Sequence, residues 1–156
     1  MNAATASRML LVADLALVRR MIPMRLGALG REVDEVASAA EARDYLARQR
    51  PDLILLDVIM PGQDGLAFCR ELKADPAFRD IPVIILTDLA GNAHDRSLDA
   101  GAEDYMPKRI DDAVMRIRVQ LHMRLVDLRK QDGRPSEPGR RASCWPRVPC
   151  RRPGRR

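Results

Sequence analysis

Four short apolar runs in this chain end on polar residues whose chemistries belong together. Asp14 follows residues 9–13 (MLLVA), Asp57 closes DLILLD, Thr87 closes IPVIILT and is followed by Asp88, and Lys108 follows EDYMP. A carboxylate pair such as Asp14 and Asp57 suits Mg²⁺, a hard octahedral ion that takes one or two carboxylates and completes its shell with waters, carbonyls and a phosphate oxygen. A carboxylate beside such a cation and an ammonium can attack phosphorus, with Lys108 neutralising phosphoryl oxygens and Thr87 donating a hydrogen bond. The expected product is an acyl phosphate on Asp57. Any one of these residues reads equally as ordinary strand-end polarity. Four of them, one from each of four strands, favour a site.

The elements that must carry them alternate. Hydrophobic periodicity over residues 8–130 predicts strands at 8–13, 32–37, 52–57, 81–87 and 103–107, the third and fourth apolar enough to be central and buried. Val18, Met21, Ile22, Arg25-Leu26 and Leu29 give a helical stripe, and Ser38 with Glu41 is a capping box that opens a second helix through Leu46. Asp64 caps a third helix, Gly65 to Lys73, after a Pro61-Gly62 turn; a short helix spans 93–100 before Gly101, and the last begins at Asp111-Asp112. Five strands and five helices in strict alternation predict an α/β, doubly wound parallel sheet. In such sheets ligands bind beyond the carboxyl ends of the strands, which is where the four residues fall.

At 156 residues and 46% hydrophobic, the chain is sized for one domain with a real core. No apolar run approaches the ~20 residues of a membrane span or the roughly 7–15 of a signal-peptide core. Three cysteines (Cys69, Cys144 and Cys150) have no paired spacing for a disulfide framework or a zinc site. The chain therefore reads as soluble, unexported and cytoplasmic. Its net charge of +5 points to nucleic acid until it is divided along the sequence. Residues 131–156 hold eight arginines against Asp132 and Glu137, whereas residues 1–130 carry nineteen basic and twenty acidic side chains. The same tail has five of the eleven prolines and three glycines, a composition that cannot repay its ordering entropy. We expect residues 1–7 and 131–156 to be disordered and 8–130 to fold. With Trp145 as its single aromatic, the tail lacks a stacking platform, so any phosphate binding is expected to be nonspecific and salt-sensitive. Its Arg, Pro, Gly, Ala and Ser content also matches a GC-rich gene read out of frame, which would make the chain a truncated regulator.

The segment PDLILLDVIMPGQDGLAFCRELKADPAFRDIPVIILT, with AGAEDY before Lys108, resembles the response-regulator receivers of bacterial two-component signalling. The resemblance covers residues 8 to about 128. It implies a flavodoxin-like sheet in the order 2-1-3-4-5, the phosphoacceptor at Asp57, and a metal site formed by Asp14, Asp57 and the backbone carbonyl of Ile59. It also implies a signalling hydroxyl at Thr87, a rotating aromatic at Tyr105 and the family's lysine at Lys108. The implied cofactor is Mg²⁺, and the implied partner is a sensor histidine kinase or phosphotransfer protein, with a homodimer as a further association. No catalysis beyond self-phosphotransfer is expected, nor a membrane or specific nucleic-acid partner. The residues KRIDD and RVQLHMRLVDLRK are most similar to receivers at the head of diguanylate cyclase regulators.

Three positions depart from that pattern. Ala13 stands where receivers usually carry a second acid, which predicts weaker Mg²⁺ binding. Arg109 follows the lysine where the family has proline; a non-proline cis bond costs about 3–4 kcal/mol, so a trans peptide is expected. Asp88 replaces a small residue. At ~6 Å its charge would oppose an incoming phosphoryl group by roughly 3 kcal/mol at an effective dielectric of 20, unless its side chain points away. These departures motivate a rival reading, a degenerate receiver acting as a phosphate-independent interaction or dimerisation module. A flavin carrier is disfavoured because VADLALVRR offers no Ser, Thr or Gly to cradle a phosphate. An independent phosphatase is disfavoured because Asp57-Val58-Ile59 lacks the second acid of a D-x-D pair.

Of the remaining residues, Cys69 falls on the inner face of its helix and reads as packing, His94 and His122 read as solvated, and Tyr105 by itself reads as core. Val114, Ile117, Leu121, Leu125 and Leu128 form a stripe longer than a covering helix requires. It is either the sheet-facing side of the last helix or a surface for a neighbour.

Overall fold

The computed structural model describes residues 7–60, 62–88 and 93–132. Expectations for residues 1–6 and 133–156, for Pro61 and for the side chain of His94 lie outside the described residues.

Within them, the strands β1 (Arg8–Val12), β2 (Glu32–Val36), β3 (Leu53–Asp57), β4 (Val83–Thr87) and β5 (Asp104–Pro107) alternate with five α-helices. These are α1 (Ala16–Leu26), α2 (Ala39–Arg48), α3 (Gly65–Ala74), α4 (Ala93–Asp99) and α5 (Asp112–Gln131). All four strand pairings are parallel, and the order is β2-β1-β3-β4-β5, as the resemblance implies. Strand order reverses between β1 and β3, so the crevice at their carboxyl ends is the place where this topology opens a binding site.

Side-chain alternation divides the core. Leu10, Val12, Ile54, Leu56, Val83 and Ile85 pack with residues of α2 and α3, including Ala42, Leu46, Phe68 and Leu72. Met9, Leu11, Leu53, Leu55, Ile84 and Leu86 pack with Ile22 and Leu26 of α1 and with Met115, Val119 and Met123 of α5. Every residue of β3 and β4 is buried, which is why those runs lack the polar alternation of a one-sided strand.

Local signals set the helix starts. The Ser38 side chain accepts from the Glu41 amide, and Glu41 accepts from the amide of Ala37. Asp64 accepts from Leu66 N–H, and Asp111 from the amides of Ala113 and Val114. Cys69 is fully buried, and burial pushes its thiol pKa up to about 11. The Gly101 φ of +87° stops the chain after α4 in the left-handed region that glycine enters without a Cβ penalty.

Of the two readings of the α5 stripe, the structure takes the outward one: Val114, Ile117, Leu121, Leu125 and Leu128 are exposed, while Met115, Val119 and Met123 have no accessible surface. The helix carries two apolar rows, and the shorter one packs on the sheet. Two expectations are corrected. Met21, placed on the inner stripe of α1, is exposed, and the buried positions there are Ile22 and Leu26. His122 is not solvated; it is half-buried, with Nε2 3.4 Å from Asp104 Oδ2. At the edges of the described residues, Ser7 donates to Asp127 at 3.4 Å and α5 runs through Gln131. Among the described residues, no helix is long and apolar enough to cross a membrane.

Candidate functional site

Asp57 is the last residue of β3 and has no solvent-accessible surface. Central pairing on both sides puts its carboxyl group where the sheet ends and α3 has not begun. The chain then curls: Ile59 N–H donates to Asp57 Oδ1 at 3.1 Å, and Gly65 N–H donates to the Val58 carbonyl at 2.9 Å. That curl brings the first turn of α3 onto the backbone behind Asp57. A Cβ at Gly65 would stand 2.2 Å from the Asp57 carbonyl oxygen and 2.8 Å from Val58 Cα, so only glycine fits.

Lys108 follows β5, and its amide donates to the Thr87 carbonyl at 3.2 Å. Its ammonium reaches across β4 to stand 2.8 Å from Asp57 Oδ2. Oδ2 is thus a buried oxygen neutralised by charge, with no hydrogen-bond donor on it among the described residues. In a dry setting such an oxygen is costly and reactive, and it favours a cation or donor that completes its shell. The peptide after Lys108 is trans, as expected from Arg109.

The other candidates sit around this pair. β1 runs beside β3 with Val12 opposite Leu56, which puts Ala13 and Asp14 beside the end of β3. Asp14 is half-buried, and Arg19 of α1 clasps its loop, donating to the carbonyls of Ala13 at 2.6 Å and Asp14 at 2.5 Å. Ala13 is fully buried in the apolar layer under α1 and α5. Thr87 is buried at the end of β4. Tyr105 lies on β5 opposite Ile85, two residues before the partner of Thr87, and is half-buried against the layer under α2 and α3. Asp88 is exposed, which lets solvent screen the charge that would otherwise oppose an anion. Thus the structure joins Asp57 to Lys108 directly, sets Asp14 and Thr87 on the flanking strand ends, and leaves Tyr105 further from the rim.

The donor set fits Mg²⁺. Among the described residues no group of three or more acidic, histidine or cysteine side chains is gathered tightly enough to hold a metal, and Asp14 and Asp57 are the carboxylates that the ends of β1 and β3 bring to this rim. Two carboxylates with carbonyl and water oxygens are what Mg²⁺ takes, and Asp57 Oδ2, paired by charge with Lys108, has no hydrogen-bond donor on it among the described residues. The curl at Ile59 keeps the carbonyl predicted as the third ligand within the same short loop.

Two residues that the sequence did not assign to the site also hold its loops, Arg19 and Arg25, the latter read only as part of the α1 stripe. Arg25 donates to the Lys108 carbonyl at 2.7 Å, to the Ile110 carbonyl and to Asp112. Nothing in the local sequence marks an arginine of α1 for a loop more than eighty residues away.

A flavodoxin-like α/β domain with a buried aspartate faced by a lysine across the rim is the class of protein that fold and site define. The family described as response regulator receiver domain matches residues 9–120, and the chain belongs to it. The response regulator PleD of Caulobacter vibrioides is 42% identical over 117 residues, which are 74% of this chain and 26% of PleD. The chain thus spans about a quarter of PleD's length. Among solved structures, the signal receiver domain of a signal transduction histidine kinase from Syntrophus aciditrophicus is 38% identical at a TM-score of 0.72, covering 78% of this chain and 92% of that one. The receiver domain of sensor histidine kinase PA1611 from Pseudomonas aeruginosa PAO1 is 32% identical at a TM-score of 0.66, covering 78% and 98%; it is described with a magnesium ion coordinated in the active site cleft.

Proposed function

We propose that this receiver accepts a phosphoryl group on Asp57 from a sensor histidine kinase or phosphotransfer protein, and that the modification alters a partner contact. The observation that carries the reading is the buried Asp57 carboxylate with Lys108 Nζ at 2.8 Å and no hydrogen-bond donor on Oδ2 among the described residues. One carboxylate oxygen attacks phosphorus as the bond from phosphorus to the donor nitrogen breaks. The electron pair leaves with the imidazole, which takes up a proton, and an acyl phosphate remains. Lys108, released from its pair with the carboxylate, neutralises the phosphoryl oxygens, and Thr87 donates to one of them. Asp14, Asp57 and the Ile59 carbonyl would hold Mg²⁺, which when bound would supply charge neutralisation for the phosphoryl group. The domain turns over no other substrate, and it works in the cytoplasm.

Support for Mg²⁺ comes from the donor set and from the magnesium described in the Pseudomonas relative. The exposed apolar row of α5 supplies a surface through which a partner, a second copy of the chain included, would sense the change. The rival phosphate-independent module draws on Ala13, Asp88 and Arg109, but Asp88 is exposed and Lys108 meets Asp57 without a proline after it. The test is incubation of the full chain with acetyl phosphate and Mg²⁺, read by intact mass. A single base-labile phosphoryl adduct on the wild type and none on Asp57→Asn is expected; an unmodified wild type across a range of Mg²⁺ concentrations defeats the reading.

A further inference from the structure

The β5–α5 segment has few holds of its own. Lys108 N–H reaches the Thr87 carbonyl at 3.2 Å, and Ile110 N–H closes a turn onto the Pro107 carbonyl at 3.1 Å. The other side of the segment is held by one residue of another element. Arg25, near the end of α1 with 13% of its side chain accessible, spreads its guanidinium over three acceptors: the Lys108 carbonyl at 2.7 Å, the Ile110 carbonyl and the Asp112 carboxylate. The first of these belongs to the residue whose ammonium pairs with Asp57.

We propose that Arg25 is a positioning residue for the phosphoryl-transfer site, fixing the backbone of Lys108 so that its ammonium meets Asp57 and then the phosphoryl oxygens. The inference rests on the phosphoacceptor reading of Asp57. A planar guanidinium with five donors can bridge three acceptors at once, whereas an ammonium is a compact charge that cannot keep the same spread. A lysine chain is long and flexible, so its reach is set by where its backbone starts. An ångström of misplacement at a reacting centre costs up to about a hundredfold in rate. Arg25 touches neither the Asp57 carboxylate nor the donor, and its influence on the reacting atoms passes through the backbone of Lys108.

The test compares wild type, Arg25→Lys, Arg25→Met, Lys108→Ala and Arg25→Met with Lys108→Ala, with acetyl phosphate and Mg²⁺ on the full chain. Adduct formation should slow by about tenfold to a hundredfold in Arg25→Met and by less in Arg25→Lys. In the Lys108→Ala background the Arg25 change should have no further effect. A second readout needs no phosphorylation. The chain has only three lysines (Lys73, Lys108 and Lys130), so lysine-labelled NMR resolves the Lys108 side chain. Its signal should move in both Arg25 variants toward its position in Asp57→Asn, while those of Lys73 and Lys130 stay. Unchanged rates and an unmoved Lys108 signal overturn the proposal, as do equal losses with and without Lys108, which mark a merely structural arginine. A wild type that takes no phosphoryl group overturns the reading beneath it as well. Arg25→Lys keeps the charge, so the test stands even where Arg25→Met fails to fold.

Discussion

The two loops that carry the reactive pair are held in different ways. From Asp57 to Gly65 an amide two residues on secures the carboxylate, Gly65 closes onto Val58, and Asp64 caps the helix that follows, beside longer-range bonds from Val58 N–H to the Leu86 carbonyl and from Arg43 to Gln63. Between Lys108 and Asp112 the carbonyls at 108 and 110 are met from α1, by an arginine 83 and 85 positions earlier. The nucleophile's carboxylate is therefore held by an amide of its own loop, whereas the carbonyl of the lysine is held by a side chain of α1. That difference ties Lys108, but not Asp57, to the placement of α1. Arg19 at the other end of the same helix holds the loop of Asp14, so one helix clasps both flanks of the acceptor.

The contrast is broken most severely at Gly65. Gly65→Ala pushes a methyl into the Asp57 and Val58 backbone, where neither neighbour can yield without moving the acceptor. We expect a loss of about 2–3 kcal/mol in denaturant unfolding together with loss of the acetyl phosphate adduct. Arg25→Lys, in contrast, should slow the adduct at much smaller cost in stability. A variant of Gly65 that unfolds normally and still takes phosphate contradicts that close fit.

Ala13→Asp sharpens the comparison from the acidic side. The position is fully buried in an apolar layer, so the new carboxylate should destabilise the metal-free protein. It should also tighten Mg²⁺ about tenfold, as a partner that orients metal-bound water does. Thermal melts with and without Mg²⁺ read both effects, and a metal response no larger than that of the wild type refutes the second.

Smaller effects follow at the caps. Asp64→Ala and Asp111→Ala each remove an acceptor for helix N–H groups and should cost about 1 kcal/mol. Asp64→Ala should also slow phosphorylation because its helix closes the acceptor loop, whereas Asp111→Ala should leave it nearly unchanged while Arg25 still holds Lys108. Equal slowing by both would erase the distinction between the loops.

The smallest effect concerns Cys69, whose thiol pKa burial raises from its ordinary range to about 11. Its folded pKa is the higher one, so the stabilisation it reflects is complete below pH 9 and declines as pH rises toward 11. Wild type should lose stability relative to Cys69→Ala over that window, and native Cys69 should resist alkylation at pH 8. Rapid alkylation of Cys69 without unfolding would show that its helix opens.

Sequence alone determined the alternation of elements, the capped helix starts and the four rim residues. Each is a local pattern: apolar runs of strand length, a side-chain oxygen a few positions before a helix, a polar residue where a run stops. The fit of glycine after Asp64 belongs to the same short range. Contact and phase were decided only by tertiary structure. Two apolar rows compete on α5, and periodicity leaves the choice open, yet the sheet takes Met115, Val119 and Met123. The same rotation of the helix brings His122 to Asp104. The hold of Arg25 on Lys108 and the outward turn of Asp88 depend on where separate elements meet, and no interval along the chain encodes that meeting.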